Sequence, residues 1–289
     1  MAKISFVTTV LNEENSIASL LDSLEAQTKK PNEVIIVDGG SDDKTMAIIN
    51  RYLKKGKLVY RLIKSPGNRA KGRNVGVAAA KFPIIAFSDA GCQLDKDWLK
   101  RLTHPFTNKR LDAVAGYYLP VTNTLWQKCF APFMAVMPDK LNPDTFLPSS
   151  RSLAVRRRVV VKLNGYPEQF DYCEDLFFAR RLKNKTNMGV ATNAIVHWQL
   201  PESLEQFFNA LKNYARGDRQ ALYWPHLIRI ATVFARYLVF VLMPLLLPLY
   251  LLIYPNYKHW HYVKNPLGLI YLPITQLAAD LAVMSGVII

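Results

Sequence analysis

The sequence is short of cysteine, of charge in its last third, and of glycine where a dinucleotide or P-loop site would need it. Its three cysteines, Cys92, Cys129 and Cys173, are too few and too far apart for a disulfide framework or a metal knuckle. They read as small buried or half-buried thiols of a reducing compartment. No signal peptide opens the chain: the apolar stretch in "MAKISFVTTVLNEEN" is broken by Ser5, Thr8 and Thr9 and ends in acids. The soluble part is therefore expected in the cytoplasm. After the first strand comes "LNEEN", bulky and acidic where a dinucleotide site needs glycines that let backbone N–H groups approach a pyrophosphate. The P-loop pattern is absent as well. No zinc-finger spacing, RNP-like aromatic motif or long basic tail is present, so nucleic acid is not the expected partner.

What is present is cationic. Lys and Arg number 37 against 22 Asp and Glu, a formal net charge of +15. That favours a polyanionic partner. The basic residues are scattered or in short clusters such as Lys29-Lys30, Lys54-Lys55 and Arg156-Arg157-Arg158. From about Leu227 onward charge nearly vanishes and Leu, Ile, Val, Pro and Tyr take over. With that apolar third in the same chain, an anionic membrane face is the expected partner. The boundary falls near Trp224-Pro225, which gives residues 1–225 as a catalytic domain and 226–289 as a membrane-associated region.

In the first hundred residues strands and helices alternate. Ile4 to Val10 reads as a strand, and "ENSIASLLDSLEAQT" as a helix with Ile17, Leu20, Leu21 and Leu24 on one face and Ser16 or Asn15 as cap. Val34 to Val37, Leu58 to Ile63 and Ile84 to Ser88 are further strands, separated by helices over about Lys44 to Leu53 and Ala70 to Ala80. Repeated strand–helix units predict an α/β fold, a mostly parallel sheet flanked by helices. Ligands of such sheets bind beyond the carboxyl ends of the strands. Thr9, Asp38 and Asp89 stand there. Two carboxylates along a rim repel a phosphate unless a hard cation such as Mg²⁺ or Mn²⁺ stands between, and such ions often use only one or two carboxylates plus substrate phosphates. Downstream, strands are expected over Ala113 to Leu119, Ser152 to Val155 and Val190 to His197, and helices over Glu174 to Lys183 and Ser203 to Ala215. Asp95 is expected to cap the helix in "DKDWLKRL".

In this order, "ISFVTTVLNEENSIASLLDSLEAQT", "VIIVDGGSDDKT", "GNRAKGRNVGVAAA", "IIAFSDAGC" and "YCEDLFFARRL" resemble the family 2 glycosyltransferases, which have the GT-A fold. The likeness is strongest over residues 3 to about 100 and continues to about 217. It implies an inverting transferase that moves a sugar from a nucleotide diphosphate sugar, a uridine diphosphate sugar being the expected donor, to a lipid-linked or saccharide acceptor at the cytoplasmic membrane face. By the resemblance Thr9 and Asp38 hold base and ribose, Arg73 lies near base or diphosphate, and Arg216 in "YARGD" neutralises the leaving group. Asp38 is equally a turn-former before Gly39-Gly40, and Arg73 equally a solvated helix-face arginine; Gly72 and Gly76 let that helix pack closely. Asp89 fills the first place of the family's DxD signature, but "DAG" puts Gly91 where a second acid often stands. A divalent metal would thus lean on Asp89, and His197 is a candidate further ligand or a hydrogen-bonded structural histidine. In "CEDLFF" the resemblance makes Asp175 the general base and Glu174 its neighbour, since an acceptor hydroxyl must lose its proton as it attacks the anomeric carbon. Helix-end acids favoured by the macrodipole are the other reading of that pair. A membrane scaffold that binds nucleotide sugar without turnover and a sugar-phosphate nucleotidyltransferase are the alternatives.

Two apolar stretches close the chain. "YLVFVLMPLLLPLYLLIY" (237–254), kinked at Pro244 and Pro248, and "LGLIYLPITQLAADLAVMSGVII" (267–289), which carries Asp280, are expected as membrane spans or interfacial helices joined by an aromatic loop, "PNYKHWHYVKN".

Overall fold

A computed structural model describes residues 2–288. The chain divides into two compact units, one of residues 1–119 with 142–199 and one of 120–141 with 200–289.

The first unit holds an eight-stranded sheet in the order β3-β2-β1-β4-β7-β6-β8-β5. Strands β1 (Ile4–Val10), β2 (Glu33–Asp38), β3 (Tyr60–Lys64) and β4 (Ile84–Phe87) form its parallel block. The residues of β1, β2 and β4 are almost all buried, as suits strands covered on both faces, whereas the edge strand β3, YRLIK, is only half-buried. Helices α1 (Ile17–Glu25), α2 (Thr45–Lys55) and α3 (Arg69–Ala79) make the crossovers. Beyond β4 the sheet turns antiparallel: β7 (Leu153–Arg156) pairs with β4, β6 (Ala113–Val121) with β7, and the short β5 (Cys92–Leu94) with β8 (Met188–Gln199). The sheet is therefore mixed. Its other helices are α4 (Trp98–Thr103), α6 (Arg157–Lys162) and α7 (Glu174–Lys185).

The helix start at Ser16 is where the sequence places it, but the Ser16 hydroxyl turns back to Glu13 rather than to the helix amides. Asp95 does not cap α4. Asp97 occupies the N-cap position and accepts from Thr28 Oγ1 at 2.6 Å, while the Asp95 carboxylate pairs with His197. Trp98 is fully buried, donates Nε1–H to Ser152 Oγ at 2.8 Å and meets Phe6 edge-on. On the other sheet face Tyr166 packs between Phe87 and Phe178.

Helix α3 lies unusually close to the sheet. A Cβ on Gly72 would sit 2.8 Å from Thr9 Cγ2, and one on Gly76 would collide with Val7 Cγ1. The two bare turns bring the α3 backbone onto β1 and β2, and so set how far the side chain of Arg73 reaches.

The second unit is helical: α5 (Leu125–Met134), α8 (Leu204–Gln220), α9 (Trp224–Leu242), α10 (Leu246–Val263) and α11 (Gly268–Ile288). The apolar stretch expected as one segment over 237–254 is in fact cut between α9 and α10, with Pro244 in the break, where its missing N–H and ring stop the helix. The expected loop "PNYKHWHYVKN" is helical through Val263, Pro255 being accommodated inside α10. Two described helices, α9 and α11, are long and apolar enough to cross a membrane. On α9, Leu238, Val241 and Leu242 are 64%, 77% and 76% exposed, so its apolar side is not consumed by packing within the chain. Asp280 sits buried in α11. It accepts hydrogen bonds from Arg236 Nη2 (3.0 Å), Tyr250 Oη (3.0 Å), Tyr237 Oη (3.3 Å) and Gln276 Nε2 (2.9 Å).

The close approach of α3 has a direct test. Gly72→Val is expected to lower stability by about 1–3 kcal/mol through overpacking against Thr9. Gly91→Ala, whose added Cβ meets nothing within 4 Å, is expected to stay within about 0.5 kcal/mol of the parent. Thermal melts of the two variants side by side give the comparison.

Candidate active site

The loop after β4 and the first turn of α7 bring two acids together around one cation. Arg73, buried on α3, donates Nη2–H to Asp89 Oδ1 at 2.9 Å and Nη1–H to Glu174 Oε1 at 2.5 Å. Its guanidinium lies 5.2 Å from the centre of the Tyr166 ring. This joins the loop after β4 to the start of α7, Arg73 and Glu174 being 101 positions apart in sequence. Arg73 is therefore not a solvated helix-face arginine.

The surroundings pull the two acids in opposite directions. Burial opposes the charge of Asp89, but Arg73, Arg151 and Arg69 outweigh it and hold the carboxyl below the usual carboxylate range. For Glu174 burial wins: its pKa is raised, with Asp175 adding to the effect and Arg73 working against it. Burial also opposes the charge of Arg73, yet Asp89 and Glu174 push its pKa well above the ordinary value. The Asp89 side chain is 29% exposed and that of Glu174 only 5%. Asp89 can meet a ligand; Glu174 is committed to Arg73.

Asp175 is half-buried and accepts from Ser149 Oγ at 3.1 Å. Ser149 Oγ in turn accepts from Arg151 Nη1 at 3.2 Å, and the Arg151 guanidinium stacks over Trp198 at 4.0 Å. The residue before the acid pair, Cys173, is left-handed with φ 60, a conformation that costs a residue bearing a Cβ roughly 1–2 kcal/mol. This kink sets the direction in which Glu174 and Asp175 leave the chain.

The nucleotide-binding candidates lie at neighbouring strand ends. Thr9 is on β1, one position ahead of Val10, which is in register with Asp38. Asp38 is 2% exposed and accepts from the backbone amides of Gly40 (3.3 Å) and Ser41 (3.1 Å), so it organises the turn it begins. A carboxylate has acceptor capacity beyond two such bonds. Glu13, whose pKa burial raises, also feels the charge of Asp89. Glu13, Arg69, Ser149 and Arg151 are the site-side residues that reading by motif passed over. Arg69 had a signal, standing one helical turn before Arg73 in "NRAKGR".

His197 lies elsewhere on the sheet, on β8, where its Nε2 meets Asp95 Oδ1 at 2.8 Å. It enters a cation's ligand set only through Nδ1 or by giving up Asp95. Among the described residues no group of three or more His, Cys, Asp or Glu could hold a metal ion. What the rim offers a hard cation is the Asp89 carboxylate, which fits an ion that takes its other ligands from a diphosphate and water. Arg216 belongs to the second unit, exposed on α8. Cys92 and Cys129 are inert by environment, since burial pushes each thiol up to about 12, while Cys173 is half-buried.

Glu174 gives this cluster a pH signature. Arg73→Met leaves Glu174 buried without its cation, a change expected to cost about 3–5 kcal/mol. A carboxyl whose folded pKa is raised adds stability below its unfolded value and loses it as pH rises through the folded one. The melting deficit of Arg73→Met should therefore be larger at pH 8 than at pH 5. An equal deficit at both would show that Glu174 is not the group left behind.

The model of the glycosyl transferase family 2 matches residues 5–160. The O-antigen chain rhamnosyltransferase RfbN of Salmonella typhimurium is 26% identical over 192 residues, 62% of this chain and 60% of that one. The poly(ribitol-phosphate) beta-N-acetylglucosaminyltransferase TarS of Staphylococcus aureus is 35% identical over 103 residues, 35% of this chain and 18% of that one. The chain thus spans less than two thirds of these relatives' length. Among solved structures, the mannosyltransferase PcManGT of Pyrobaculum calidifontis, in complex with GDP-Man and Mn²⁺, superposes with a TM-score of 0.62 at 16% identity, covering 97% of this chain and 87% of that one. S. aureus TarS residues 1–349 with UDP-GlcNAc gives 0.58 at 20% identity over 74% of this chain and 65% of that one. These likenesses carry the fold, which is of GT-A type. With more than half its length matched by the family model, the chain belongs to glycosyl transferase family 2.

Proposed function

We propose that this protein is an inverting glycosyltransferase that takes a sugar from a nucleotide diphosphate sugar, a uridine diphosphate sugar, and passes it to a lipid-linked or saccharide acceptor at the cytoplasmic face of a membrane. One observation carries the reading. Beside the Arg73 cluster, at the sheet edge where such folds bind ligands, Asp175 is accessible and oriented by Ser149, while its neighbour Glu174 is locked away. The donor class is supported by the UDP-GlcNAc and GDP-Man bound by the structural neighbours.

In this reading Thr9 and Asp38 hold the nucleoside, and Asp38 accepts a ring N–H because a carboxylate is acceptor-only. Asp175 takes the acceptor hydroxyl's proton as that oxygen attacks the anomeric carbon from the face opposite the diphosphate, in one inverting step. The bond from the anomeric carbon to the diphosphate oxygen breaks, and the electron pair leaves with the diphosphate. Arg73 and Glu174 position the site: the first fixes Asp89, the second fixes the start of α7. Asp89 would hold a Mg²⁺ or Mn²⁺ ion, which when bound neutralises the leaving diphosphate; His197 is a further ligand only if it leaves Asp95. Arg216 is the proposed cationic contact to the leaving group from α8. Residues 1–225 form the catalytic domain in this scheme, and 226–289 the membrane-associated region through the exposed apolar faces of α9 and its neighbours.

Asp175→Asn is expected to lower the transfer rate by about 10²–10⁴-fold with donor binding and melting temperature unchanged. Retention of most turnover would remove Asp175 from the base role. Thermal-shift titrations with UDP- and GDP-sugars, with and without Mn²⁺, are expected to raise the melting point most for a UDP-sugar with the ion. A chelator that leaves that shift intact would rule out the Asp89-bound cation. Membranes from expressing cells should retain the protein through a high-salt wash and release it into detergent; release by salt alone would refute insertion of the apolar helices.

A further inference from the structure

The rim opposite the acidic edge has the reverse character. Where β1 and β4 begin and β7 ends, a concavity of about 1030 Å³ is lined by Lys81, Lys109, Arg156, Arg157 and Arg158 and by no described carboxylate. Phe82, Phe106 and Val161 supply its apolar wall. Helix α6 separates it from a second concavity of about 650 Å³, which shares Arg158 and adds Lys162, Arg181 and Lys185 against a single acid, Asp112. The pairing of Ile84 with Arg156 places this rim at the amino end of β4. Asp89 is five residues further along, roughly 16 Å of extended chain.

The charges here are not cancelled. Arg156 and Arg157 direct their guanidinium N–H groups to the backbone carbonyls of Leu111, Lys109, Val77 and Ala78. Arg181 does the same to Leu163 and Gly165. Such bonds fix the position of a cation without neutralising it. Among the described residues Arg158 has the one carboxylate contact, to Asp112 at 3.6 Å, and is itself 75% exposed. Lys81, Lys109, Lys162 and Lys185 are exposed. A low-dielectric concavity lined by one sign of charge focuses its field and concentrates ions of the other sign.

We propose that these two adjoining concavities form a binding track for an extended phosphate-bearing chain, a polyol- or saccharide-phosphate polymer rather than a single small anion. Two features favour the polymer. The cations continue across α6 through the shared Arg158, so one ligand can touch both hollows. The Phe82, Phe106 and Val161 wall gives the carbon skeleton between phosphates an apolar surface, which a free phosphate does not need. The hollows are concave, whereas a bilayer surface would call for a flat or convex cationic face. The track is separate from the donor site and stands whether or not Asp175 is the base.

The test uses the full chain in a neutral detergent. Binding of a short inorganic polyphosphate, pyrophosphate, an oligonucleotide of equal charge, and anionic against neutral vesicles is measured for the parent protein and for the variant Lys109→Glu, Arg158→Glu, Lys162→Glu, Lys185→Glu. None of these side chains holds a backbone carbonyl, and a second variant with Gln at the same positions guards against misfolding by repulsion; melting temperature and UDP-sugar binding serve as controls. Polyphosphate should bind more tightly than pyrophosphate, weaken with added salt, and lose roughly tenfold or more in affinity in both variants while UDP-sugar binding is unchanged. Equal polyphosphate affinity in parent and variants, pyrophosphate binding as tight as the polymer, or charge-dependent binding only to vesicles or more tightly to the oligonucleotide would overturn the proposal.

Discussion

The site depends on one guanidinium. Arg73 is buried between Asp89 and Glu174 and reaches both because α3 lies against β1 and β2 through two bare glycine turns. A cation in that position does three things at once. It keeps Asp89 ionised at a sheet edge where another carboxylate and a diphosphate would repel it. It makes burial of Glu174 tolerable, and so fixes the first turn of α7. It thereby leaves Asp175, the next residue, half-buried and held by Ser149 rather than by the cation. An ion pair that is buried and geometrically good is weak evidence for overall stability but strong evidence for a specified arrangement, since removing either partner strands a charge. The close contact of α3 with the sheet and the separation of roles between two adjacent acids follow from the same side chain.

The parallel block was readable from the sequence for a physical reason. Largely apolar runs four to seven residues long, alternating with helical periodicity, leave few other folds, and the observed strands agree with the expected ones within two residues at every end. The departures have causes as well. Three-residue β5 is too short to show a period. Helix α5 was missed although Thr124 and Gln127 form a capping box, because Pro132 stands inside it. Pro255 likewise disguised the end of α10 as a loop, whereas Pro244 did break the chain. Proline is tolerated or not according to whether neighbouring groups satisfy the freed carbonyl, and that is a tertiary fact.

Motif order singled out Asp89, Glu174 and Asp175 as candidates but not the side chains they meet. Nothing local in "SSRS" announces that Ser149 will meet Asp175 or that Arg151 will lie on Trp198, since those contacts join residues tens of positions apart. Asp95 shows the converse. Its place before a helix suits a cap, yet β8 delivers His197 to it and the side chain turns away. Local propensity loses to a charged partner brought by the sheet.

The four hydrogen bonds around Asp280 have a consequence for how the end of the chain is assembled. The donors come from α9, α10 and α11 itself, so neither α9 nor α11 balances its own buried charge. In an oily medium α11 alone would expose a naked carboxylate and α9 alone a naked guanidinium. In such a medium the acid acts as a clasp that makes separating α11 from α9 and α10 unfavourable.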